Sequence, residues 1–308
     1  MTQAAVPDIR ARVGEVLLKN PVMSASGTFG YGLEFTPFYD ISLLGAIIVK
    51  GLSLEPTAGN APPRIVETSA GMLNAIGLQN IGVERFVAEV APRLADAGAA
   101  YAANIYGRTI EEYESVARRL SGVPSLIAIE LNASCPNVKE GGIAFGSTPE
   151  GLYGLTRRVR AATGKPLWVK LSPNVGDIGA VARAAEEAGA DAVTLINTIV
   201  GMAVDHRKRK PVLSNVTGGL SGPAIKPVAL RMVWEACRSV KIPVIGIGGI
   251  QSAEDALEFL LVGAAAVQVG TANFRNPNAC VEIVEGIRNF FIREKIARVD
   301  DYRGRLVL

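Results

Sequence analysis

Histidine is almost missing from this 308-residue chain: His206 stands alone, inside the basic run His206-Arg207-Lys208-Arg209-Lys210. A histidine-ligated metal site or a Ser-His-Asp triad is therefore implausible. Cysteine is scarce too. Cys135, Cys237 and Cys280 lie far apart, odd in number and without a CxxC spacing. That argues against a disulfide framework or a cysteine-ligated cluster, and for a reducing, cytoplasmic setting. No apolar run reaches bilayer length and the polar start, residues 1–12, has no signal-like core, so the expectation is a soluble protein with no membrane contact. A formal charge of +3 is too small to imply nucleic acid; the basic run reads as a solvated loop, with a patch for a phosphate or an acidic partner as the minority alternative. Neither GxGxxG nor GxxxxGK[ST] occurs, which leaves a dinucleotide fold and a P-loop unsupported.

What the chain does have is apolar residues, nearly half of the total, in short runs alternating with longer helical patterns. Strands are expected at 22–26, 46–50, 101–105, 126–131, 167–171, 192–196, 244–247 and 266–270. Helices are expected at 83–97, 109–120, 149–162, 178–188, 224–240, 252–262 and about 279–293. Residues 12–20, around Gly14-Glu15, read as a short hairpin ahead of the main fold. The endings Asp96-Ala97-Gly98, Ala188-Gly189-Ala190 and Val262-Gly263-Ala264 each close a helix with glycine and return to a strand. Eight strands alternating with helices and no linker give one α/β domain over 1–308, a TIM (β/α)8 barrel, with a doubly wound sheet as runner-up. Two long connections, 51–82 and 198–222, are of a length that is commonly functional.

In such a barrel the active groups stand at the C-terminal ends of the strands. Those ends carry Ser24 and Ser26, Lys50, Asn104, Asn132, Lys170, Asn197, Gly248-Gly249 and Gly270-Thr271. A strand must end in something polar, which accounts for about half of these. Two lysines are harder to explain this way, since a lysine in a barrel mouth is costly to desolvate without an anion. The fourth run ends in Asn132-Ala133-Ser134-Cys135-Pro136-Asn137, where Pro136 stops the strand and leaves a thiol at its mouth between amides. Alone, Cys135 reads first as a small buried apolar residue.

Gly248-Gly249, Gly270-Thr271 and Ser221-Gly222-Pro223 are three turns rich in N–H groups near the last strands, where barrels often hold phosphate. Tight strand-to-helix turns also need glycine, so each is weak by itself. With no metal ligands at hand, a phosphate-bearing organic cofactor would carry the hard chemistry, and flavin mononucleotide (FMN) suits the parts. A lysine near its ring would favour the anionic reduced form. Cys135 would act as general base, its ordinary value near 8.5 being open to tuning by a cation or burial.

The stretches Ala25-Ser26-Gly27-Thr28-Phe29-Gly30, Leu73-Asn74-Ala75-Ile76-Gly77-Leu78-Gln79-Asn80, Asn132 to Asn137, Val169-Lys170-Leu171-Ser172-Pro173-Asn174, Leu195-Ile196-Asn197-Thr198 and Thr217-Gly218-Gly219-Leu220-Ser221-Gly222-Pro223 resemble the dihydroorotate dehydrogenases, over roughly residues 13–290. The resemblance implies oxidation of dihydroorotate to orotate in pyrimidine synthesis, with Cys135 as the base that marks the soluble class. It implies that Lys50, Asn74, Asn132, Asn137, Asn197 and Thr198 hold the substrate, with main-chain contacts from Ile76, Gly77 and Leu78. It assigns one FMN to Ser24, Lys50, Gly51, Asn104, Asn132, Lys170, Ile196, Gly222, Gly248, Gly249, Gly270 and Thr271. The wording Asn-Ala-Ile-Gly-Leu-Gln-Asn and Ser-Gly-Pro-Ala-Ile-Lys-Pro is similar to the NAD-linked type (1B). Members of that type pass electrons to NAD through a partner subunit carrying FAD and a [2Fe–2S] cluster, in a heterotetramer built on a homodimer of the catalytic chain.

Other readings remain at this level. One is the fumarate-using homodimeric type (1A). A second is a phosphate-binding lyase with Lys50 or Lys170 as Schiff base. A third, disfavoured by the modest charge and the lack of aromatic interleaving, is a nucleic-acid-binding protein using the basic run.

Overall fold

The computed structural model describes residues 6–133, 139–140 and 143–308. Cys135 and Asn137 lie outside them. The chain opens on an antiparallel hairpin, β1 (Ala11–Val13) and β2 (Val16–Leu18), turned at Gly14 with φ +60°. Strands β3 (Val22–Ser24), β4 (Ala46–Leu52), β5 (Ile65–Thr68) and β6 (Gly71–Asn74) follow. Helices α1 (Val83–Arg85) and α2 (Ala91–Asp96) are joined by a π-helical stretch, Phe86–Val90. Pro92 has no N–H for the carbonyl four residues back, and the wider turn absorbs that gap in a helix expected to be continuous over 83–97.

Next come β7 (Tyr101–Ile105), α3 (Ile110–Ser121), β8 (Leu126–Asn132), the two-residue pair β9 (Lys139–Glu140) and β10 (Ile143–Ala144), α4 (Pro149–Ala162) and β11 (Leu167–Lys170). The chain continues through α5 (Ile178–Glu187), β12 (Ala192–Leu195), β13 (Ile199–Met202), the pair β14 (Val204–Asp205) and β15 (Lys210–Pro211), and β16 (Thr217–Ser221). It ends with α6 (Lys226–Ser239), β17 (Val244–Ile247), α7 (Ala253–Leu261), β18 (Ala266–Val269), α8 (Ala272–Arg275), α9 (Ala279–Glu294) and α10 (Val299–Tyr302). Several starts are set by side chains that accept an orphan N–H: Thr109 for α3, Thr148 for α4, Asp177 for α5, and Ser252 with Asp255 in a capping box for α7.

Strands β3, β4, β7, β8, β11, β12, β17 and β18 close into a parallel barrel, as the alternating pattern predicts. Its wall separates two apolar layers. Outward residues such as Val49, Ile129, Val169 and Val267 pack under the helices. Inward ones are mostly small (Ala46, Ala102, Ala128, Ala192, Ala266), with Trp168 filling the space they leave. The β1–β2 hairpin plugs that lower end with Ala11, Val13 and Leu18. With this end sealed by hydrocarbon, the other end is the one open to ligands.

The two long connections are more than loops. They supply a four-stranded antiparallel sheet in the order β13-β16-β6-β5, with β6 from the first connection paired to β16 from the second through Gly219↔Asn74, Leu220↔Leu73 and Ser221↔Met72. Gly71 makes the approach possible: a Cβ there would stand 2.0 Å from the Ser221 carbonyl oxygen. The basic run 206–210 forms the turn between β14 and β15, closed by Asp205, whose carboxylate accepts from the amides of Arg207 and Lys208. Among the described residues, no helix is long and apolar enough to cross a membrane.

Candidate active site

Alternation along each strand decides which side chains enter the barrel mouth. Counting by two from inward Ala102, Ala128, Trp168 and Ala266 reaches Asn104, Glu130 and Asn132, Lys170, and Gln268. All five are buried. Glu130 is the hub. Asn104 Nδ2 donates to its Oε1 at 2.8 Å, Gln268 Nε2 donates to its Oε2 at 2.6 Å, and Lys170 Nζ stands 3.8 Å from Oε1. Lys170 also reaches Ser26 Oγ at 3.4 Å. Asn197 Nδ2 donates to Asn132 Oδ1 at 3.4 Å, so the amides of two strand ends touch across the opening.

The glycine turns form a second cluster beside the first. A Cβ on Gly249 would stand 2.9 Å from the Gly222 carbonyl oxygen, and one on Gly248 would stand 3.4 Å from Ile196 Cγ1. Thr271 Oγ1 donates to Ser221 Oγ at 2.8 Å. The three turns therefore meet at one corner. Gly248 (φ +135°) and Gly249 (φ +75°) hold backbone shapes that side chains rarely adopt, which brings bare main chain to the surface of the corner.

The antiparallel sheet roofs this arrangement. Asn74 Nδ2 donates to the Gly219 carbonyl at 3.4 Å, and Gly219 lies so close to Thr198 that a Cβ would stand 2.1 Å from its Oγ1. Below, a buried cluster fixes the segment 76–80. The Tyr106 hydroxyl donates to the Leu78 carbonyl at 2.9 Å and accepts from Asn80 Nδ2 at 2.8 Å and Ser53 Oγ at 3.0 Å. Leu78 is held there at φ +59°.

Lys50 is half-buried at the end of β4, and its ammonium is held below its ordinary range chiefly by burial, then by the Arg64 guanidinium, with Glu34 opposing. The two described cysteines are unsuited to proton transfer. Burial pushes the thiols of Cys237 and Cys280 up to about 12, and Cys280 is spent on Asn273 Oδ1 at 3.3 Å.

The family model for dihydroorotate dehydrogenase matches residues 9–291. The chain belongs to that family. It is 55% identical over 301 residues to a Geotalea uraniireducens protein named dihydroorotate dehydrogenase B (NAD(+)), catalytic subunit, covering 98% of this chain and 99% of the relative. Proteins of the same name from Pelobacter propionicus (56% over 300 residues, 97% and 99% covered) and Thermoanaerobacter sp. (54% over 299 residues, 97% and 99% covered) are similar.

Against the residues that the likeness to dihydroorotate dehydrogenases singles out, the geometry sorts as follows. Lys50, Gly51, Asn104, Asn132, Lys170, Ile196 and Asn197 stand at strand ends around the mouth, Gly51 so close that a Cβ would lie 2.9 Å from Asn104 Oδ1. Gly222, Gly248, Gly249, Gly270 and Thr271 lie in the glycine turns, and Asn74, Ile76, Gly77, Leu78 and Thr198 lie in the sheet or beside it. Ser24 differs from the others: it is fully buried, and its hydroxyl accepts from the Ile48 amide at 3.2 Å, which takes one of its hydrogen-bonding positions. Three residues escaped the sequence reading of the mouth as a polar rim: Glu130, Gln268 and Tyr106. For the first two the signal was present, since each precedes a strand-end residue by two and so shares its face. Nothing local marks Tyr106, which lies one residue past its strand.

Proposed function

We propose that this chain is the catalytic subunit of an NAD-linked dihydroorotate dehydrogenase, oxidising (S)-dihydroorotate to orotate in pyrimidine synthesis in the cytoplasm. The observation that carries the reading is the meeting of a lysine-and-amide mouth with a three-turn glycine corner, on a chain 55% identical to a protein of that name. The 1A type has no observation of its own in its favour; the Lys50 ammonium, held below its ordinary range, would also suit a Schiff-base lyase, but the relatives' name is that of a dehydrogenase.

FMN fits the cradle. Main chain at Gly222, Gly248, Gly249, Gly270 and Thr271 would take the phosphate, where a Cβ on Gly248 or Gly249 would meet atoms at under 3.0 Å. Lys50, Gly51, Asn104, Asn132, Lys170, Ile196 and Ser24 would hold the ring. When bound, it supplies the acceptor for the hydride that leaves dihydroorotate.

The chain's own residues do the rest. Lys50, Asn74, Asn132, Asn137, Asn197 and Thr198 would grip an anionic, amide-rich heterocycle by matched donors and acceptors, with main-chain contacts from Ile76, Gly77 and Leu78. Cys135 would remove the C5 proton; with Cys280 buried, Cys237 half-buried and both thiols pushed up to about 12, it is the remaining thiol for that role. Electrons would leave through a partner subunit carrying FAD and [2Fe–2S], the two chains forming a heterotetramer.

The test is direct. Purified protein should be yellow, one FMN per chain, and should bleach on anaerobic addition of dihydroorotate. A protein that takes up no flavin on reconstitution sinks the reading. Borohydride trapping of a carbonyl substrate on Lys50 or Lys170 would establish the lyase instead.

A further inference from the structure

The mouth is lined with cations and amides, yet its floor holds an anion. Glu130 is fully buried, and it reaches three strands other than its own: Asn104 on β7, Gln268 on β18 and Lys170 on β11. A purely structural bolt across the barrel would not need a charge, and a carboxylate is among the costliest groups to bury. Two features tie this one to the site above. Its Oε1 is shared between the Asn104 amide and the side of the Lys170 ammonium, two groups proposed here to hold the flavin ring. Its bond to Asn104 Nδ2 also decides which way that amide faces, leaving Oδ1 on the side of Gly51.

We propose that Glu130 is a positioning residue for the flavin site. It orients the Asn104 amide, anchors the Lys170 ammonium from beneath, and its negative charge makes the bound flavin harder to reduce. This rests on the flavin reading above. Lys170 by itself would favour reduced flavin strongly; a buried anion beside it moderates that pull, so that electrons taken from the substrate can be passed on. Asn104 and Lys170 would touch the ring, whereas Glu130 acts through them.

The geometry also supplies a clean variant. Among the described residues Gln268 Oε1 is buried with no hydrogen-bond partner, so in Glu130→Gln the Gln268 amide can turn over and accept from the new Nε2, while Asn104 keeps its acceptor. The charge and its pairing with Lys170 are lost, and the bonds to Asn104 and Gln268 remain.

The experiment is a spectroscopic redox titration of the flavin-loaded protein, wild type against E130Q. Expected is a shift of at least tenfold toward reduced flavin in E130Q, a rise of about 30 mV for a two-electron couple, with flavin still retained. A loaded E130Q with the wild-type potential, or a lower one, overturns the role of Glu130 and leaves the flavin reading intact. A colourless wild type takes both down. Should E130Q fail to fold, the exchange E130Q/Q268E keeps one carboxylate and one carboxamide in the cavity but moves the charge from β8, which pairs with the Lys170 strand β11, to β18, which does not. It is expected to fold with a potential above the wild type's, and a potential equal to the wild type's overturns the proposal.

Discussion

The Tyr106 hydroxyl donates to the carbonyl oxygen of Leu78 at 2.9 Å, joining the residue after β7 to the middle of a segment that also carries Ile76 and Gly77. The same oxygen accepts from Asn80 and Ser53, so one phenol settles the polar atoms of three residues beneath the roof. Main-chain atoms at 76–78 can then present themselves to a substrate without ordering on each turnover.

Tyr106→Phe removes that hub, while Asn80 Nδ2 still donates to the Leu78 carbonyl at 3.0 Å and to Ser53 Oγ at 2.8 Å, so the segment loses one of its ties at a cost of about 0.5–1.5 kcal/mol. The expected outcome is a several-fold rise in KM for dihydroorotate with flavin content unchanged, read by steady-state kinetics and the flavin absorbance of the purified variant. An unchanged KM would show that the segment is held by its other contacts.

Cys135→Ser should keep its flavin and lose about two to four orders of magnitude in turnover near neutral pH, the usual worth of a well-placed general base. Activity should recover in part as the pH rises, since a hydroxyl is a far weaker base. Stopped-flow reduction of the flavin by dihydroorotate over a pH series reads this directly, and wild-type rates in the variant would remove Cys135 from the mechanism.

Burial and Arg64 hold the Lys50 ammonium below its ordinary 10.5. The unfolded chain thus binds this proton more tightly than the folded one, so between the folded value and 10.5 the group's contribution to stability grows as pH rises. Affinity for an anionic ligand runs the other way, falling through the same interval as the charge is lost. Arg64→Met removes the neighbouring cation and should move the alkaline limb of orotate binding to higher pH, measured by perturbation of the flavin spectrum. A limb that stays in place would assign it to another group.

Gly270 differs from its neighbours in the glycine corner. An added Cβ would meet nothing nearer than Ala25 Cβ at 3.5 Å, an ordinary contact. Gly270→Ala should therefore fold with an unchanged melting temperature, while FMN binding weakens at least tenfold, about 1.4 kcal/mol. Riboflavin, which lacks the phosphate, should bind as it does to wild type. Equal weakening of both would place the phosphate elsewhere.

Much of this was legible in the chain. The eight barrel strands begin at the residues expected, because buried parallel strands read as apolar runs and the glycine closures before them are sharp. The rim residues were equally plain, since a polar side chain after such a run is conspicuous. What lay hidden was long-range. The β6–β16 pairing joins segments about 150 residues apart, and β16, Thr-Gly-Gly-Leu-Ser, has almost none of the β-branched character that marks a strand. Glu130 was hidden differently: it sits within an apolar run, and only the two-residue alternation from Ala128 to Asn132 gives its direction. Its partner Gln268 lies 138 residues further along the chain, so no local pattern announces the pair.

The β6–β16 seam has a further consequence for how this family can vary. Asn74 and Thr198 are carried by different connections, yet Asn74 and Ile199, the neighbour of Thr198, are laced into one antiparallel ribbon. A change of length in one connection leaves unpaired amides in the other, so the two must be exchanged together in any chimera. Under the proposed substrate contacts, preference would be inherited as a matched set, and transplanting a single connection from a relative would strip the ribbon of half its stitches.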